Sequence, residues 1–268
     1  MIKDRIFAGK VYLCSMEKKI LIIPDVHGRR FWRDAIHTDD YDKVIFLGDY
    51  LDPYPQEHIG PLTAQHGLED IMYYYDKHPD KVVLLLGNHD MHYLSERYRD
   101  FSMSDRYNEE FSDYYYFLFN KGDRFKLAHE ETIGGRKYLF THAGVTMPWL
   151  KQNKDIIGEP DAEHLNRLLL TDKGIEALAQ VGLLRGGMYL NGSMVWCDCI
   201  EMAMSDPIPD VYQIVGHSQQ VSGIPVITPH FACLDCRSAF VLDGKGKLKI
   251  VNTSQNKNKN VSLKPETY

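Results

Sequence analysis

Acidic, amide and imidazole side chains follow five apolar segments of this sequence, each at the point where the segment ends. They are Asp25, His27, Asp49, Asp52, Asn88, His89, His142 and His217. Any one of them is typical of an ordinary turn, but the same placement at five segment ends favours one shared site. Imidazole nitrogens with carboxylate and amide oxygens suit Mn, Fe, Zn or Co better than Ca, which prefers oxygen, or Cu(I), which prefers sulfur. The set is large enough to bind two ions. One carboxylate shared between them would hold the ions ~3.5–4 Å apart, the spacing of two-metal hydrolases.

The apolar segments predict buried β-strands, and the stretches between the first three of them predict helices. The strands are expected over 19–24, 43–47, 81–86, 137–140 and 212–215, and the helices at roughly 30–38 and 62–77. This order is typical of βαβ units and a parallel sheet, and open α/β sheets bind ligands at the carboxyl ends of their strands. Short β segments with turn signals from Gly223 to Val251 predict antiparallel hairpins that close one edge of the architecture. The predicted fold class is α/β.

The chain shows no internal repeat and no shift in composition, so we expect one domain over 1–251 and a polar tail over 252–268. Segments 93–123 and 150–192 are rich in helical patterns and lack the strand-then-ligand arrangement, which makes them possible helical lids. The aromatic run 114–119 in the first of them favours core packing, and a lid over a cleft is the alternative.

The composition excludes several classes of protein. With 268 residues, 44% hydrophobic and 25% charged, the chain is not collagen-like, coiled-coil or wholly disordered. Its 31 Lys and Arg against 37 Asp and Glu give a formal net charge of −6, which argues against a nucleic-acid partner because phosphate backbones attract clustered positive charge. No apolar run reaches the ~18 residues of a membrane helix, and the N-terminus lacks the apolar region of a signal peptide. Five cysteines argue against a disulfide framework, so we expect a reduced, cytoplasmic protein without a membrane partner.

Five short motifs resemble, in order and spacing, those of the calcineurin-like metallophosphoesterases. They are Asp25-Val26-His27-Gly28, Gly48-Asp49-Tyr50-Leu51-Asp52, Gly87-Asn88-His89-Asp90, His142-Ala143-Gly144 and Gly216-His217. The most similar pattern is that of the phosphoprotein (Ser/Thr) phosphatase branch, which runs GDxHG, GDxxDRG, GNHE, HGG and a final His. The resemblance covers about residues 20–245, and Trp196 looks like the short tryptophan motif of that branch.

The resemblance implies a fold, a cofactor and a set of roles. The fold is an α/β sandwich of two mixed β-sheets flanked by helices. The cofactor is two divalent metal ions, Mn in the first place and Fe, Zn, Ni or Co as alternatives, whose bridging hydroxide attacks phosphorus. The implied metal ligands are Asp25, His27 and His217 for the first ion, Asn88 and His142 for the second, and Asp49 as the bridge. His89, oriented by Asp52, would act as general acid and protonate the leaving oxygen.

The resemblance fails at the arginines that clamp phosphate in that branch. Pro53-Tyr54 stands where the pattern has Arg, and no Arg or Lys occurs between Val195 and His217, where the second one is expected. A bidentate Arg is the natural partner of a phosphate dianion, so we expect another cation to take this role. The candidates are Arg29, Arg30 and Arg185.

A second likeness concerns the segment 87–92. Its sequence GNHDMH resembles the GNHDxH form of symmetrical diadenosine tetraphosphate hydrolases, which makes His92 a further candidate for substrate contact. Three functions therefore stay open: a phosphomonoesterase of the Ser/Thr phosphoprotein phosphatase type acting on phosphorylated protein or small phosphoesters, a dinucleoside polyphosphate hydrolase, and a binding module without catalysis. The third is the weakest, because every expected ligand is intact.

Four cysteines offer a separate possibility. Cys197 and Cys199, with Cys233 and Cys236, would supply the thiolates of a structural zinc site, but the first spacing is tighter than such sites prefer. We expect ordinary buried thiols instead.

Overall fold

The computed structural model describes residues 18–251, so the predicted polar tail 252–268 lies outside it. The strands are β1 (Ile20–Ile23), β2 (Lys43–Phe46), β3 (Val82–Leu85), β4 (Phe125–Lys126), β5 (Ala128–Ile133), β6 (Arg136–Thr141), β7 (Val211–Val215), β8 (Val226–Ile227), β9 (Phe231–Cys233), β10 (Phe240–Leu242) and β11 (Leu248–Ile250). The α-helices are α1 (Phe31–Ala35), α2 (Pro61–Lys77), α3 (Asn88–Leu94), α4 (Glu96–Ser102), α5 (Ser112–Asn120), α6 (Met147–Gln152), α7 (Lys154–Ile157), α8 (Ala162–Asn166), α9 (Asp172–Leu178) and α10 (Cys199–Met204). Short 3₁₀ turns occupy Pro55–Glu57, Arg167–Leu170 and Leu183–Arg185.

The strands form two mixed sheets. The first has the order β11-β10-β1-β2-β3-β4, and the second has the order β5-β6-β7-β9-β8. In the first sheet β1 to β4 are parallel neighbours and β10 joins β1 antiparallel. In the second sheet β6, β7 and β9 are parallel neighbours and β5 joins β6 antiparallel. The predicted α/β fold of two mixed sheets with flanking helices is confirmed.

The hairpins expected after Gly223 close an edge of each sheet. β8 pairs antiparallel with β9 at the edge of the second sheet, and β10 pairs with β11 at the edge of the first. The chain changes sheets between them, because β9 extends the parallel run beside β7 whereas β10 pairs with β1. The hairpins are therefore present, but the expectation that they share one edge is wrong.

The two faces of β1 belong to different layers of the core. Ile20 and Ile22 pack between the two sheets, in a cluster that includes Phe140 of the second sheet. Leu21 and Ile23 pack in the larger cluster that contains residues of α1 and α2. Successive strand residues face opposite sides, and both sides are covered here. That is why the strand reads in the sequence as an unbroken apolar run.

The two helices predicted between the first strands are present. The helix expected over 62–77 is α2, and Pro61 occupies its first position, where a missing N–H costs nothing. The helix expected over 30–38 is the shorter α1. It ends early because the Thr38 hydroxyl donates to the Ala35 carbonyl at 2.9 Å.

The helical segments outside the βαβ units cover part of the core. In α5, Tyr115 and Phe119 are buried, whereas Tyr114 and Phe117 are exposed. The expectation of core packing for this aromatic run is therefore right for one face of the helix. The role of 93–123 and 150–192 as lids stays a prediction.

Candidate metal centre

The polar side chains predicted from the five strand ends meet in one buried region. Each of the eight is at most 8% exposed. β1, β2 and β3 of the first sheet and β6 and β7 of the second all end there, so both sheets supply donors. The site therefore exists only when the two sheets pack on each other.

Four of these residues have a left-handed backbone. The φ angles are 44° at His27, 54° at Asp49 and Asp52, and 62° at His217. Residues with a Cβ rarely adopt this conformation, which costs on the order of 1–3 kcal/mol each and persists only where the surroundings enforce it. Such strain is typical of functional sites.

Asp90 fixes the turn that carries Asp49. Its Oδ2 accepts the backbone N–H of Asp49 at 2.7 Å and of Gly87 at 2.8 Å, and its Oδ1 accepts the N–H of Tyr50 at 3.0 Å. The Asp49 carboxylate in turn accepts the N–H of His89 at 3.0 Å through Oδ1. The two motif turns after β2 and β3 are thus bonded to each other through their side chains.

The ring orientations of His27 and His142 are those of metal ligands. Their Nδ1 atoms lie 2.9 Å from the Leu51 carbonyl and 2.8 Å from the Leu47 carbonyl, and a carbonyl can only accept. Each Nδ1 therefore carries the proton, which leaves the Nε2 lone pairs 3.3 Å and 3.5 Å from Asp49 Oδ2. Backbone carbonyls commonly fix metal-ligating imidazoles in this way.

Of three groups of candidate donors, one is Asp52 with His89 and His92, and the other two share Asp49. One of these two contains Asp25, His27 and Asp49, and the other contains Asp49, His142 and His217. His142 Nε2 also lies 3.1 Å from Asn88 Oδ1 and 3.2 Å from His217 Nδ1. The expectation that His217 joins Asp25 and His27 is therefore not what the structure shows.

His217 contacts the first cluster through its main chain and not through its ring. The N–H of His217 donates to both carboxylate oxygens of Asp25, at 2.9 and 3.1 Å. Its ring lies beside that of His142 because β6 and β7 are neighbouring parallel strands, whose carboxyl ends meet at one edge of the second sheet.

The donor set fits two divalent cations. Lone pairs of two imidazoles face one carboxylate, an arrangement that repels without a cation between the groups, and His217 Nε2 is buried without a hydrogen-bond partner. The backbone also leaves room for the carboxylates: a Cβ on Gly87 would lie 2.1 Å from Asp49 Oδ1, and one on Gly216 would lie 2.1 Å from Asp25 Oδ2.

The charges of the cluster are set by burial and by their neighbours. Burial raises the pKa of Asp49, but the imidazoles of His142 and His89 outweigh it and hold that pKa well below its usual value. Burial lowers the pKa of His217 well below its usual value, and the positive charge of Arg185 lowers it further. A charged carboxylate and a neutral imidazole are the forms that bind metal.

His89 and Asp52 form the pair predicted for proton transfer. His89 Nδ1 lies 2.9 Å from Asp52 Oδ2, and the Tyr93 hydroxyl donates to Asp52 Oδ1 at 2.5 Å. Burial raises the pKa of Asp52, but its hydrogen bonds to His89 and His92 bring that pKa to about 2. Asp52 is therefore a carboxylate that fixes the His89 ring.

His92 contacts Asp52 from the protein interior and not from the solvent side of the site. Its Nε2 is 2.8 Å from Asp52 Oδ2, and its side chain is fully buried. The expectation that His92 contacts substrate is therefore wrong. The physical reason is that His89 and His92 are three residues apart on α3, so both flank Asp52.

Arg106 is the residue that the sequence analysis missed. Its Nη1 donates to the Asp52 carbonyl at 2.5 Å, its Nη2 lies 2.7 Å from His89 Nε2, and its guanidinium lies 3.9 Å from the centre of the Tyr54 ring. It lies between α4 and α5, where no strand end or motif marks it in the sequence.

Arg29 lies at the first cluster, and Arg30 does not. Arg29 donates through Nε to Glu57 at 2.8 Å and through Nη1 to the Asp25 carbonyl at 3.1 Å. Arg30 is exposed at the start of α1. Of these two candidates for phosphate binding, the structure brings only Arg29 to the metal ligands.

Arg185 supports the loop of His217. Its Nη2 donates to Ser218 Oγ at 2.7 Å, and its Nε lies 2.9 Å from Asp198 Oδ2, which balances its charge. Trp196 packs edge-on against the His217 ring, with the ring centres 5.8 Å apart. These contacts place Arg185 behind the loop of His217, a predicted metal ligand.

The four cysteines do not belong to the candidate metal-binding groups. Cys197, Cys233 and Cys236 are buried and Cys199 is half-buried, all as free thiols. Within residues 18–251, the clusters of three or more candidate metal donors contain no cysteine.

Comparisons with known proteins identify the family and the fold. The family model of the calcineurin-like phosphoesterases matches residues 18–220. No curated protein matches the sequence. No helix within residues 18–251 has the length and apolar character needed to cross a membrane.

A solved structure with a TM-score above 0.5 shares the fold. The cold-active protein-tyrosine phosphatase of the psychrophile Shewanella sp. is 12% identical, with 88% of this chain and 80% of that chain covered and a TM-score of 0.52. A protein serine/threonine phosphatase from Saccharomyces cerevisiae is 13% identical, with 85% and 73% covered and a TM-score of 0.47. A metallophosphoesterase from Sphaerobacter thermophilus is 12% identical, with 89% of each chain covered and a TM-score of 0.40. At 12% identity, the likeness to the first of these structures shows the fold alone.

Proposed function

The chain belongs to the calcineurin-like phosphoesterase family, and we propose that it is a two-metal phosphomonoesterase acting on phosphorylated Ser or Thr side chains and on small aryl phosphates. Family membership makes it a metal-dependent hydrolase of phosphoester bonds.

One observation carries the proposal: Asp49 belongs to both donor clusters. Its Oδ2 lies within 3.5 Å of the Nε2 atoms of His27 and His142, which is the arrangement of a carboxylate that bridges two ions. Two bound divalent ions activate water and neutralise the charge on a phosphoryl group. Asp25 and His27 would hold one ion, and Asn88, His142 and His217 would hold the other.

His89 is proposed as the proton donor to the leaving oxygen. Its ring lies beside that of His27, with the ring centres 5.2 Å apart, so it borders the first donor cluster. Asp52 binds Nδ1 and thereby leaves Nε2 as the nitrogen for proton transfer. A serine alkoxide is a poor leaving group, and such a donor typically contributes about 10²–10⁴-fold in rate.

The structure gives the alternative substrate no specific support. The likeness to dinucleoside tetraphosphate hydrolases rests on the segment 87–92, on Thr141-His142-Ala143-Gly144-Val145 and on the missing clamp arginines. Of these features, His92 lies fully buried behind Asp52. A binding module without catalysis is disfavoured because the clusters and the His89–Asp52 pair come together with sound geometry. Mn as the ion and a cytoplasmic location remain predictions from the sequence.

The proposal is tested with a substrate panel after removal of metal. The chelated protein is assayed on p-nitrophenyl phosphate, phosphoserine and phosphotyrosine peptides, and diadenosine tetraphosphate, each with Mn, Ni, Zn or Mg. We expect Mn to restore monoester hydrolysis better than Mg, because imidazole ligands disfavour Mg. His217→Asn should lose this activity, whereas the exposed His66→Asn on α2 should keep it. Full activity in excess chelator, or a clear preference for the dinucleotide, would contradict the proposal.

A further inference from the structure

Two arginines from distant parts of the chain lie against the ring of Tyr54. The guanidinium carbon of Arg106 is 3.9 Å from the ring centre, and that of Arg29 is 5.3 Å from it. The same ring packs edge-on against His27, with the centres 4.9 Å apart. Tyr54 therefore holds two cations beside the first donor cluster. In the sequence it follows Pro53, the residue at the position where the phosphoprotein phosphatase pattern has its arginine.

One guanidinium nitrogen of Arg29 has no hydrogen-bond partner. Its Nε and Nη1 donate to Glu57 and to the Asp25 carbonyl, whereas Nη2 is buried without a partner. The side chain is only 9% exposed. A buried donor without an acceptor is costly, and an anionic ligand at this place would remove that cost.

Arg106 is hydrogen-bonded to His89 Nε2, the nitrogen from which a leaving group would take its proton. A guanidinium only donates, so at 2.7 Å from Arg106 Nη2 the Nε2 of His89 is an acceptor without a proton. His89 Nδ1 is bound to Asp52. In this structure His89 Nε2 therefore carries no proton for a leaving group, and it must take one up from solvent after Arg106 has left.

We propose that Arg106 leaves His89 when a phosphomonoester binds and that, together with Arg29, it clamps the phosphoryl oxygens. The inference rests on the proposed function and replaces the two clamp arginines that the sequence lacks. The exchange is favourable because a bond between guanidinium and phosphate joins two charges and is roughly twice as strong as a bond between neutral groups. The Tyr54 ring supports the guanidinium throughout.

The main chain around Arg106 stays in place during this exchange. Tyr107 stacks on Tyr93 with the ring centres 5.1 Å apart, and the N–H of Asn108 donates to the Tyr93 hydroxyl at 2.8 Å. Only the Arg106 side chain has to turn. Two guanidinium charges favour a phosphomonoester dianion over a diester, which carries one negative charge.

The direct test is the binding of inorganic phosphate to the metal-loaded protein, measured by calorimetry at equal metal content. Arg106→Met should bind phosphate about 10- to 100-fold more weakly, since it loses bonds between charged groups. Arg106→Lys should recover only part of the affinity, because an ammonium cannot bind bidentately. The matched control is Arg97→Met, which removes an exposed arginine of α4 that pairs with Glu176 and should bind phosphate like the wild type.

Tyr54 provides an independent pair of variants. Tyr54→Leu removes the aromatic face and should lower the phosphate affinity by about 2- to 30-fold, the contribution of a cation–π contact. Tyr54→Phe keeps the ring and should lose clearly less affinity than Tyr54→Leu. Equal affinities of these two variants would contradict the part assigned to the ring.

Kinetics separate the clamp from a purely structural role. In Arg106→Met we expect KM for p-nitrophenyl phosphate to rise about 10- to 100-fold with kcat nearly unchanged, as for an interaction made in both ground and transition states. The loss should be smaller for bis(p-nitrophenyl) phosphate. Unchanged phosphate affinity with a lowered kcat would mean that Arg106 only orients His89, and would overturn the clamp. If the wild type hydrolyses no phosphoester but Arg106→Met still loses phosphate, the proposed function is wrong and the clamp stands.

Discussion

Replacing Asp52 with asparagine removes the charge beside His89 while nearly preserving the shape of the side chain. In the structure burial raises the pKa of Asp52, but hydrogen bonds to His89 and His92 outweigh it and bring the pKa from 3.8 to about 2. That interval corresponds to about 2.5 kcal/mol in favour of the charged carboxylate. This figure is net of the opposing effect of burial, so it is a lower bound on the interaction with the imidazoles. By linkage, the carboxylate favours protonation of its imidazole partners by at least this total.

The size of the expected kinetic effect follows from this figure. If the two imidazoles share the ~2.5 kcal/mol equally, Asp52→Asn lowers kcat about eightfold, and if all of it acts on His89 the loss is about 60-fold. His89→Asn removes the proton donor itself and should lower kcat by about 10²–10⁴-fold. Metal content should be unchanged in both variants, because neither residue belongs to the clusters that share Asp49.

The assay is steady-state kinetics over a series of leaving groups, from nitrophenolate to the alkoxide of a phosphoserine peptide. Both losses should shrink as the leaving group improves, because a nitrophenolate hardly needs the proton. Asp70→Asn, an exposed position on α2 paired with Arg33, is the control and should leave kcat unchanged. Equal losses for every leaving group, or loss of metal from His89→Asn, would refute the assignment of His89 as proton donor.

Three further expectations follow from the geometry. Asp49→Asn should lose more bound metal than His217→Asn, because Asp49 belongs to both clusters; elemental analysis of the purified variants decides this. Gly87→Ala should lower metal affinity, since its Cβ would lie 2.1 Å from the Asp49 carboxylate, whereas Gly67→Ala in α2 meets nothing within 4 Å and should leave it unchanged. Hydrogen bonds to His129 and Lys18 outweigh burial and lower the pKa of Glu131 to about 2. Glu131→Gln should therefore reduce the free energy of unfolding at neutral pH, and urea titrations should show this difference vanishing as the pH falls from about 4.5 towards 2.

The sequence predicted the donors because each of them follows a short, fully apolar strand. β1 to β3 have four residues each, so the end of the apolar run marks the ligand position closely. β1, β2 and β3 follow one another in the sequence and are also adjacent in the first sheet. Asp25, Asp49 and Asn88, which follow these strands, therefore lie close together. Periodicity and composition were sufficient for this part of the site.

The partition of the donors between two ions could not be predicted in the same way. It depends on which strand ends are adjacent in space, and β6 and β7 are adjacent although 69 residues separate Thr141 from Val211. Resemblance placed His217 with Asp25, whereas sheet order places its ring with His142. Sequence order carries no information on that choice until the second sheet is known.

Arg106 escaped prediction for a different reason. It lies in the connection between two helices, and its contact with the Asp52 carbonyl spans 54 positions of the chain. The missing arginine after Asp52 was visible in the sequence, but a replacement can come from any segment that reaches the cleft. The aromatic residue at position 54 was the available signal, since a tyrosine beside a metal centre can hold a guanidinium by its ring face.

Hydrogen bonds between the two sheets also hold the site. The Nδ1 of His142 binds the Leu47 carbonyl after β2, and the N–H of His217 binds the Asp25 carboxylate after β1. These bonds join the second sheet to the first at the very residues that supply metal donors. His217 is one of the left-handed residues, and its bond to Asp25 helps to hold that strained conformation. Packing of the two sheets therefore brings the two groups of donors together. The apolar layer between the sheets therefore acts on catalysis as well as on stability: whatever shifts one sheet against the other also separates Asp49 from His142.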